Sequence, residues 1–308
     1  MREIAHGLRF PEGPIALPDG GFLLVEIERR TLTRVAADGV VTIAAELGGG
    51  PNGAAIGPDG CVYVCNNGGF RFHEDELGLR PLGQSEDYVT GSIQRVDLAR
   101  GEVTTLYTQT DDGIGLRGPN DLVFDGKGGF WFSDMGKVRP RDQDRGRVCY
   151  ARADGSSCRL VIEPMVMANG IGLSPDGGVL YVAETETARL WAFTITGEGE
   201  VEKRPFPSPH GGRLLYGAGG YQRFDSLAVE ADGNICVATL INGGVTVISP
   251  EGRLVEFVAL PDYYPTNICF GGPGLAKAYV TLSQAGRLVE LDWPRPGLAL
   301  AFRDRLRV

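Results

Sequence analysis

Six oxygen-bearing side chains recur at one offset from a turn, and together they have the chemistry of a hard-cation site. Pro18-Asp19-Gly20, Pro58-Asp59-Gly60, Pro175-Asp176-Gly177 and Ala231-Asp232-Gly233 are tight-turn sequences. Proline presets its own φ and glycine accepts a positive one. Seven residues before each aspartate stand Glu12, Asn52, Asn169 and Asp225. The same frame on Gly126-Lys127-Gly128 gives Asn120, and the irregular Gly272-Pro273-Gly274 turn gives Asn267. Turn chemistry alone would also admit Gly, Ser and Thr at such positions; here all six are carboxylates or carboxamides. Two grouped carboxylates repel unless a cation neutralises them. All-oxygen ligation with two negative charges suits one divalent metal ion, Ca²⁺ first, and Zn²⁺ or Mn²⁺ fit the same set.

Each of the six residues opens a short apolar run, and the turn is followed by a β-rich one: GFLLVEI, CVYVCNN, VLYVAET, NICVATL. The six positions are separated by 40, 68, 49, 56 and 42 residues. Units of that length with about four strands each are the signature of a propeller. In the second unit the strands are GAAIG, CVYVC, SIQRVDL and VTTLYT; in the fifth, SLAVE, NICVATL, GVTVIS and LVEFVAL. No long segment has helical periodicity. The expected fold is therefore all-β: a six-bladed β-propeller of four-stranded antiparallel blades around a central channel, with residues 1–308 as one domain. The innermost strand of each blade lines the channel, so the six residues form a ring at one mouth. The sixth unit shows only three strands, and the missing one is expected from Arg2–Leu8 or from the LALAF segment near the C-terminus. Insertions at 69–88 and 135–146 fall between second and third strands, on the ring face, where they can act as lids. A third candidate rim segment is Pro205–Phe224, with His210 and Tyr221.

Length and composition bound the function. The chain has 308 residues, 43% hydrophobic and 22% charged, as in soluble globular proteins. A net charge of −9 with no basic stripe argues against a nucleic-acid partner. No apolar run reaches membrane-span length, and the N-terminus MREIAHGLRFPEGP lacks the apolar core of a secretory signal. The six cysteines form no CxxC pairs and sit in strand-like runs, so a reduced, cytoplasmic setting is expected. His6, His73 and His210 show no metal spacing, and no GxSxG elbow is present. The sequence leaves the oligomeric state open.

RFPEGP, RGPNDL, ANGIGLSPDG and FDSLAVEADGN, in that order at propeller spacing, resemble the senescence marker protein, gluconolactonase and regucalcin family over essentially the whole chain. The resemblance implies a six-bladed propeller holding one divalent metal, and for many members the opening of a lactone. It places the metal on Glu12, Asn169 and Asp225, with Asn120 as a further ligand or a substrate-orienting group. Arg117 lies three residues before Asn120, one further than the arginine that often binds substrate in sugar lactonases. The expected activity is a lactonase-type hydrolase of carboxylic ester bonds acting on a small-molecule lactone. Asp225 and Asn120 are the catalytic candidates; Asn120, Asn52 and Arg117 are the substrate-binding ones. Two alternatives stay open: an aryl-ester or organophosphate hydrolase at the same site, and a non-catalytic metal-binding propeller. Arginines 71, 80, 139 and 141 in the insertions favour a polar or anionic substrate over an apolar one.

Overall fold

The structure, a computed structural model, describes residues 1–307. Six antiparallel sheets surround one axis as the blades of a propeller. The innermost strands are Pro11–Ala16, Pro51–Ile56, Pro119–Phe124, Ala168–Leu173, Arg223–Val229 and Pro265–Gly271, and each begins within two residues of its ring residue. The turns that defined the repeat close the first hairpin of their blades. Gly20, Gly60, Gly177 and Gly233 all have positive φ. The preceding Asp19, Asp59, Asp176 and Asp232 each accept a backbone N–H two residues on, at 3.0–3.3 Å. Aspartate thus replaces a backbone acceptor in the turn.

The core is divided among the blades. Six apolar clusters lie one between each pair of neighbours, such as Phe124, Phe130 and Phe132 against Tyr63 and Cys65, or Val123 and Trp131 against Leu180 and Trp191. Stacked sheets bury side chains on both faces, which is why the second strands run nearly continuously apolar up to their ends, as in FLLV, VYVC, GFWF and VLYVA. All six cysteines are free and buried.

Two chain ends complete the ring of blades. Arg2–Ala5 pairs antiparallel with Arg287–Asp292 as the outermost strand of blade six, so the N-terminal choice holds and the LALAF segment does something else. It straps the far end of the channel. Leu298 N–H donates to Val229 O (2.9 Å) in blade five. Phe302 packs on Phe124 of blade three at 5.6 Å between ring centroids, and Arg307 N–H reaches Gly60 O (2.9 Å) in blade two. Buried Glu230 anchors the start of the strap, accepting from Trp293 Nε1 and Arg295 Nε, both at 2.6 Å. Between strap and ring lies a cavity of about 330 Å³ walled by Ile56, Leu122, Ile171 and Leu227. No helix among the described residues is long and apolar enough to cross a membrane.

Candidate functional site

Every innermost strand breaks its ladder register at the ring, for example between Glu12 and Ile15, Pro119 and Leu122, and Phe224 and Leu227. The other three break at the corresponding place. A bulge re-aims side chains away from strict alternation. The residues just past the ring read Gly13, Gly53, Asp121, Gly170, Ser226 and Ile268. Backbones of neighbouring blades come into contact there. A Cβ on Gly53 would lie 2.6 Å from Asn120 O, and one on Gly170 2.6 Å from Asp225 O. Glycine is what lets the ring close this tightly.

All five predicted metal or substrate residues of the ring, Glu12, Asn52, Asn120, Asn169 and Asp225, are buried together with Asn267. Glu12 Oε2 accepts from Asn267 Nδ2 (2.8 Å) and from Gly13 N–H (2.7 Å). Asn267 therefore orients Glu12 and has its own Oδ1 occupied by Ile268 N–H at 2.8 Å. Asn169 Nδ2 donates to Thr185 Oγ1 (3.0 Å), leaving its Oδ1 with a single long contact from Ser226 Oγ at 3.4 Å. Asn120 Nδ2 points at Met135 Sδ (3.2 Å). Asn52 Oδ1 and Asn120 Oδ1 are buried with no hydrogen-bond partner among the described residues. Such orphaned acceptors are costly unless something fills them.

The carboxylates are destabilised as anions. Burial pushes the Glu12 carboxyl up to about 7, with the charge of Asp121 adding to it. Burial, then the charges of Glu12 and Asp121, hold Asp225 well above the usual carboxylate range, against a hydrogen bond from Asn169. Asp121 is a third carboxylate, one layer below the ring on the channel wall, and burial pushes it up to about 7 as well. Sequence reasoning missed it. The signal was available: in the frame one residue past the ring, Asp121 is the sole acid among glycines, serine and isoleucine. No cluster of three or more His, Cys, Asp or Glu side chains among the described residues is arranged to hold a metal ion. A cation here needs the carboxamides too, and the two orphaned amide oxygens beside two carboxylates fit a hard divalent ion.

The second strands hold the rim in place. In blades one to four their last residues are buried polar groups that accept backbone N–H groups just before the ring: Glu26 from Arg9 (2.6 Å), Asn66 from Gly50 (2.8 Å), Asp134 from Gly118 (2.6 Å) and Glu184 from Val166 (2.7 Å).

Both insertions lie between second and third strands and are tied together. Residues 70–75 and 78–84 form a hairpin, and Gln84 N–H donates to Val138 O (3.0 Å) of the second insertion. Lys137 is buried, donates Nζ–H to Gly69 O (2.8 Å) and lies over the Phe70 and Tyr88 rings at 4.5 and 5.0 Å. Arg139 is consumed by Asp142 and Asp144. Arg117 is exposed at the rim; its backbone N–H is held by Asp134 (2.9 Å), and its guanidinium has no ion pair among the described residues. His210 is not a rim residue: it is buried against Trp191 and Phe193 in blade four. His6 and His73 pair with nearby acids away from the ring.

Residues 10–284 match the family model described as "SMP-30/Gluconolactonase/LRE-like region". The chain is 27% identical over 229 residues to 6-deoxy-6-sulfogluconolactonase of Pseudomonas putida, covering 74% of this chain and 75% of that protein. It is 33% identical over 211 residues to lactonase drp35 of Staphylococcus aureus (strain USA300), covering 68% of this chain but 57% of that protein. Among solved structures, a gluconolactonase from Xanthomonas campestris superposes with a TM-score of 0.73 at 20% identity, covering 96% of this chain and 88% of that one. The calcium-binding protein regucalcin from Agrobacterium tumefaciens superposes with a TM-score of 0.73 at 19% identity, covering 97% of both chains. These two likenesses speak to the fold.

Proposed function

The chain belongs to the SMP-30/gluconolactonase/LRE-like family, and from that premise we propose that it is a metal-dependent lactonase whose site is the ring. The observation that carries the reading is the pairing of two buried carboxylates with two carboxamide oxygens that have no partner. Glu12, Asn169 and Asp225 would hold one divalent ion, with Asn120 as a further ligand. The calcium-binding relative supports Ca²⁺. When bound, such an ion polarises a carbonyl and neutralises the ring carboxylates.

The chain's own residues do the rest. Asn120 and Asn52 present carboxamides that hydrogen-bond and orient the lactone, with Arg117 at the rim on the approach. Asp225 takes a proton from the attacking water, whose oxygen bonds to the carbonyl carbon. The ring C–O bond then breaks, and its oxygen recovers a proton to give a hydroxy acid. Asp121 stands outside the ligand set on the channel wall, so it is the carboxylate free to take that proton when Asp225 is engaged. The lactonases among the relatives support this reaction class. The insertions at 69–88 and 135–146 act as lids that select the substrate.

The test is lactone hydrolysis followed with a pH indicator, on chelated protein and after restoring Ca²⁺, Zn²⁺ or Mn²⁺. Metal-dependent opening of sugar or aryl lactones is expected. Metal binding without turnover of any lactone would move the reading to a binding propeller.

A further inference from the structure

The mouth above the ring is not evenly charged. Arg223 stands two residues before Asp225, the offset that Phe10 occupies before Glu12 and Met167 before Asn169, so it belongs to the rim. Tyr264 stands three residues before Asn267 on the neighbouring blade, with its ring 6.2 Å from that of Phe10. The lid hairpin leaves blade two, crosses blade one and lands on blade six. Phe72 packs on Phe10 at 5.2 Å, Arg9 grips Glu74 (2.8 and 3.1 Å), and Leu79 N–H donates to Gln284 O (3.0 Å). This delivers Arg80, the next residue, to the side of the mouth where Tyr264 and Arg223 stand. Tyr264 packs against the cluster of Phe10, Ile27 and Leu79, the residue before Arg80. Arg223 pairs with Leu240, and the next residue, Ile241, donates its N–H to Tyr263 O (2.8 Å). Arg80, Arg223 and Tyr264 thus share one neighbourhood.

Both arginines have donors to spare. The Nε–H of Arg80 and the Nε–H of Arg223 are each buried with no acceptor among the described residues. Each has one acidic neighbour, on its terminal nitrogens and partly open to solvent: Asp75 lies 3.4 Å from Arg80 and Glu186 3.1 Å from Arg223. A guanidinium carries five N–H donors in a planar fork suited to carboxylate, phosphate and related oxyanions. Two such forks with unmet buried donors, facing one mouth of a chain of net charge −9, are poorly explained as solvating surface charge. On the other lid, Arg139 has no such vacancy because two aspartates occupy it.

We propose that Arg80, Arg223 and the Tyr264 hydroxyl form an anion subsite, and that the substrate is a lactone bearing an oxyanion (carboxylate, phosphate or sulfonate) away from the reacting carbonyl. This rests on the lactonase reading and adds the substrate class. The lid hairpin supplies one arm of the subsite, so recognition of the anion and placement of the hairpin are the same event.

The test compares kcat/KM for an unsubstituted hexonolactone with that for its C6-phosphate, C6-sulfonate and C6-carboxylate counterparts. The wild-type protein should prefer at least one anionic form by ten-fold or more. Arg80→Gln and Arg223→Gln should each cut that preference about ten-fold, chiefly through KM, while Arg139→Gln leaves it unchanged. Arg223→Lys should restore part of it. The tetrahedral and planar anions separate phosphate and sulfonate from carboxylate as the group recognised. In parallel, calorimetry measures binding of 6-phosphogluconate against gluconate, which needs no turnover. Tighter binding of the doubly anionic acid, lost in the double variant, supports the subsite even if no lactone is opened. Equal binding of the two acids, or an anion preference that survives both glutamines, overturns it. Turnover of neutral and anionic lactones alike overturns the subsite while leaving the lactonase reading intact.

Discussion

At their starts the six innermost strands present Glu12, Asn52, Asn120, Asn169, Asp225 and Asn267, buried and in part without partners. At their ends the same strands present Ala16, Ile56, Phe124, Leu173, Val229 and Phe270, apolar side chains on the cavity wall beneath the strap. The two ends are built by one repeat but make opposite contributions. Buried carboxylates that repel one another weaken the fold, whereas the apolar end with its strap strengthens it. A propeller can tolerate the first because its stability is distributed over six interblade clusters, none of which includes the ring.

The sharpest way to break this contrast is Asp225→Asn. Turnover should fall on the order of 10²- to 10⁴-fold. The melting temperature of the metal-free protein should hold or rise, because an amide escapes both the burial cost and the repulsion from Glu12 and Asp121 that the carboxylate meets. Normal turnover in this variant would end the assignment of Asp225 as ligand and as base together.

The next effect is on stability and is linked to pH. Glu12 and Asp121 have folded-state values near 7, above their unfolded values near 4. The folded metal-free chain therefore binds more protons than the unfolded chain across that window, and its stability falls as pH rises from about 4 to 7. A bound divalent ion opposes the fall, by about 2.7 kcal/mol at a hundred times Kd. Thermal melts of chelated and metal-loaded protein should thus diverge as pH rises. Parallel curves would mean that no ion is held by these carboxylates.

The smallest effect belongs to the other end. Phe302→Ala removes a half-buried ring from the strap and should cost about 1–3 kcal/mol by denaturant melt, with lactone turnover at saturating substrate close to normal. A large loss of turnover without a loss of stability would show that the two ends are coupled.

How much of this was legible in the sequence follows from what is local. The ring was legible because turn, strand and ring residue lie within eight positions, and tight-turn chemistry is written in Asp and Gly. The blade count and the placement of both insertions followed from the same frame. Asp121 was not legible by alternation, since strict alternation sends a residue next to Asn120 away from the axis; only the bulge puts it on the channel wall. Arg80 stood among four insertion arginines that pointed to a polar or anionic substrate, but nothing set it apart from Arg71, Arg139 and Arg141. Its role depends on where a hairpin of blade two lands, on Gln284 some two hundred positions later, and no local pattern encodes that. The LALAF run had the composition of a strand, but Leu298–Ala301 line the channel end instead because Arg2–Ala5 already fills the outermost place in blade six.

That exchange of chain ends also sets an order of events at the ribosome. Glu3 pairs with Val289, which is made 286 residues later. At about 5–20 residues per second the first strand waits on the order of 15–60 s for somewhere to pair. During that time blades one to five can stack in sequence, while the leading strand hangs as an unpaired edge open to any neighbour. Its short length and its charged residues Arg2 and Glu3 make it a poor template for a second chain in that interval.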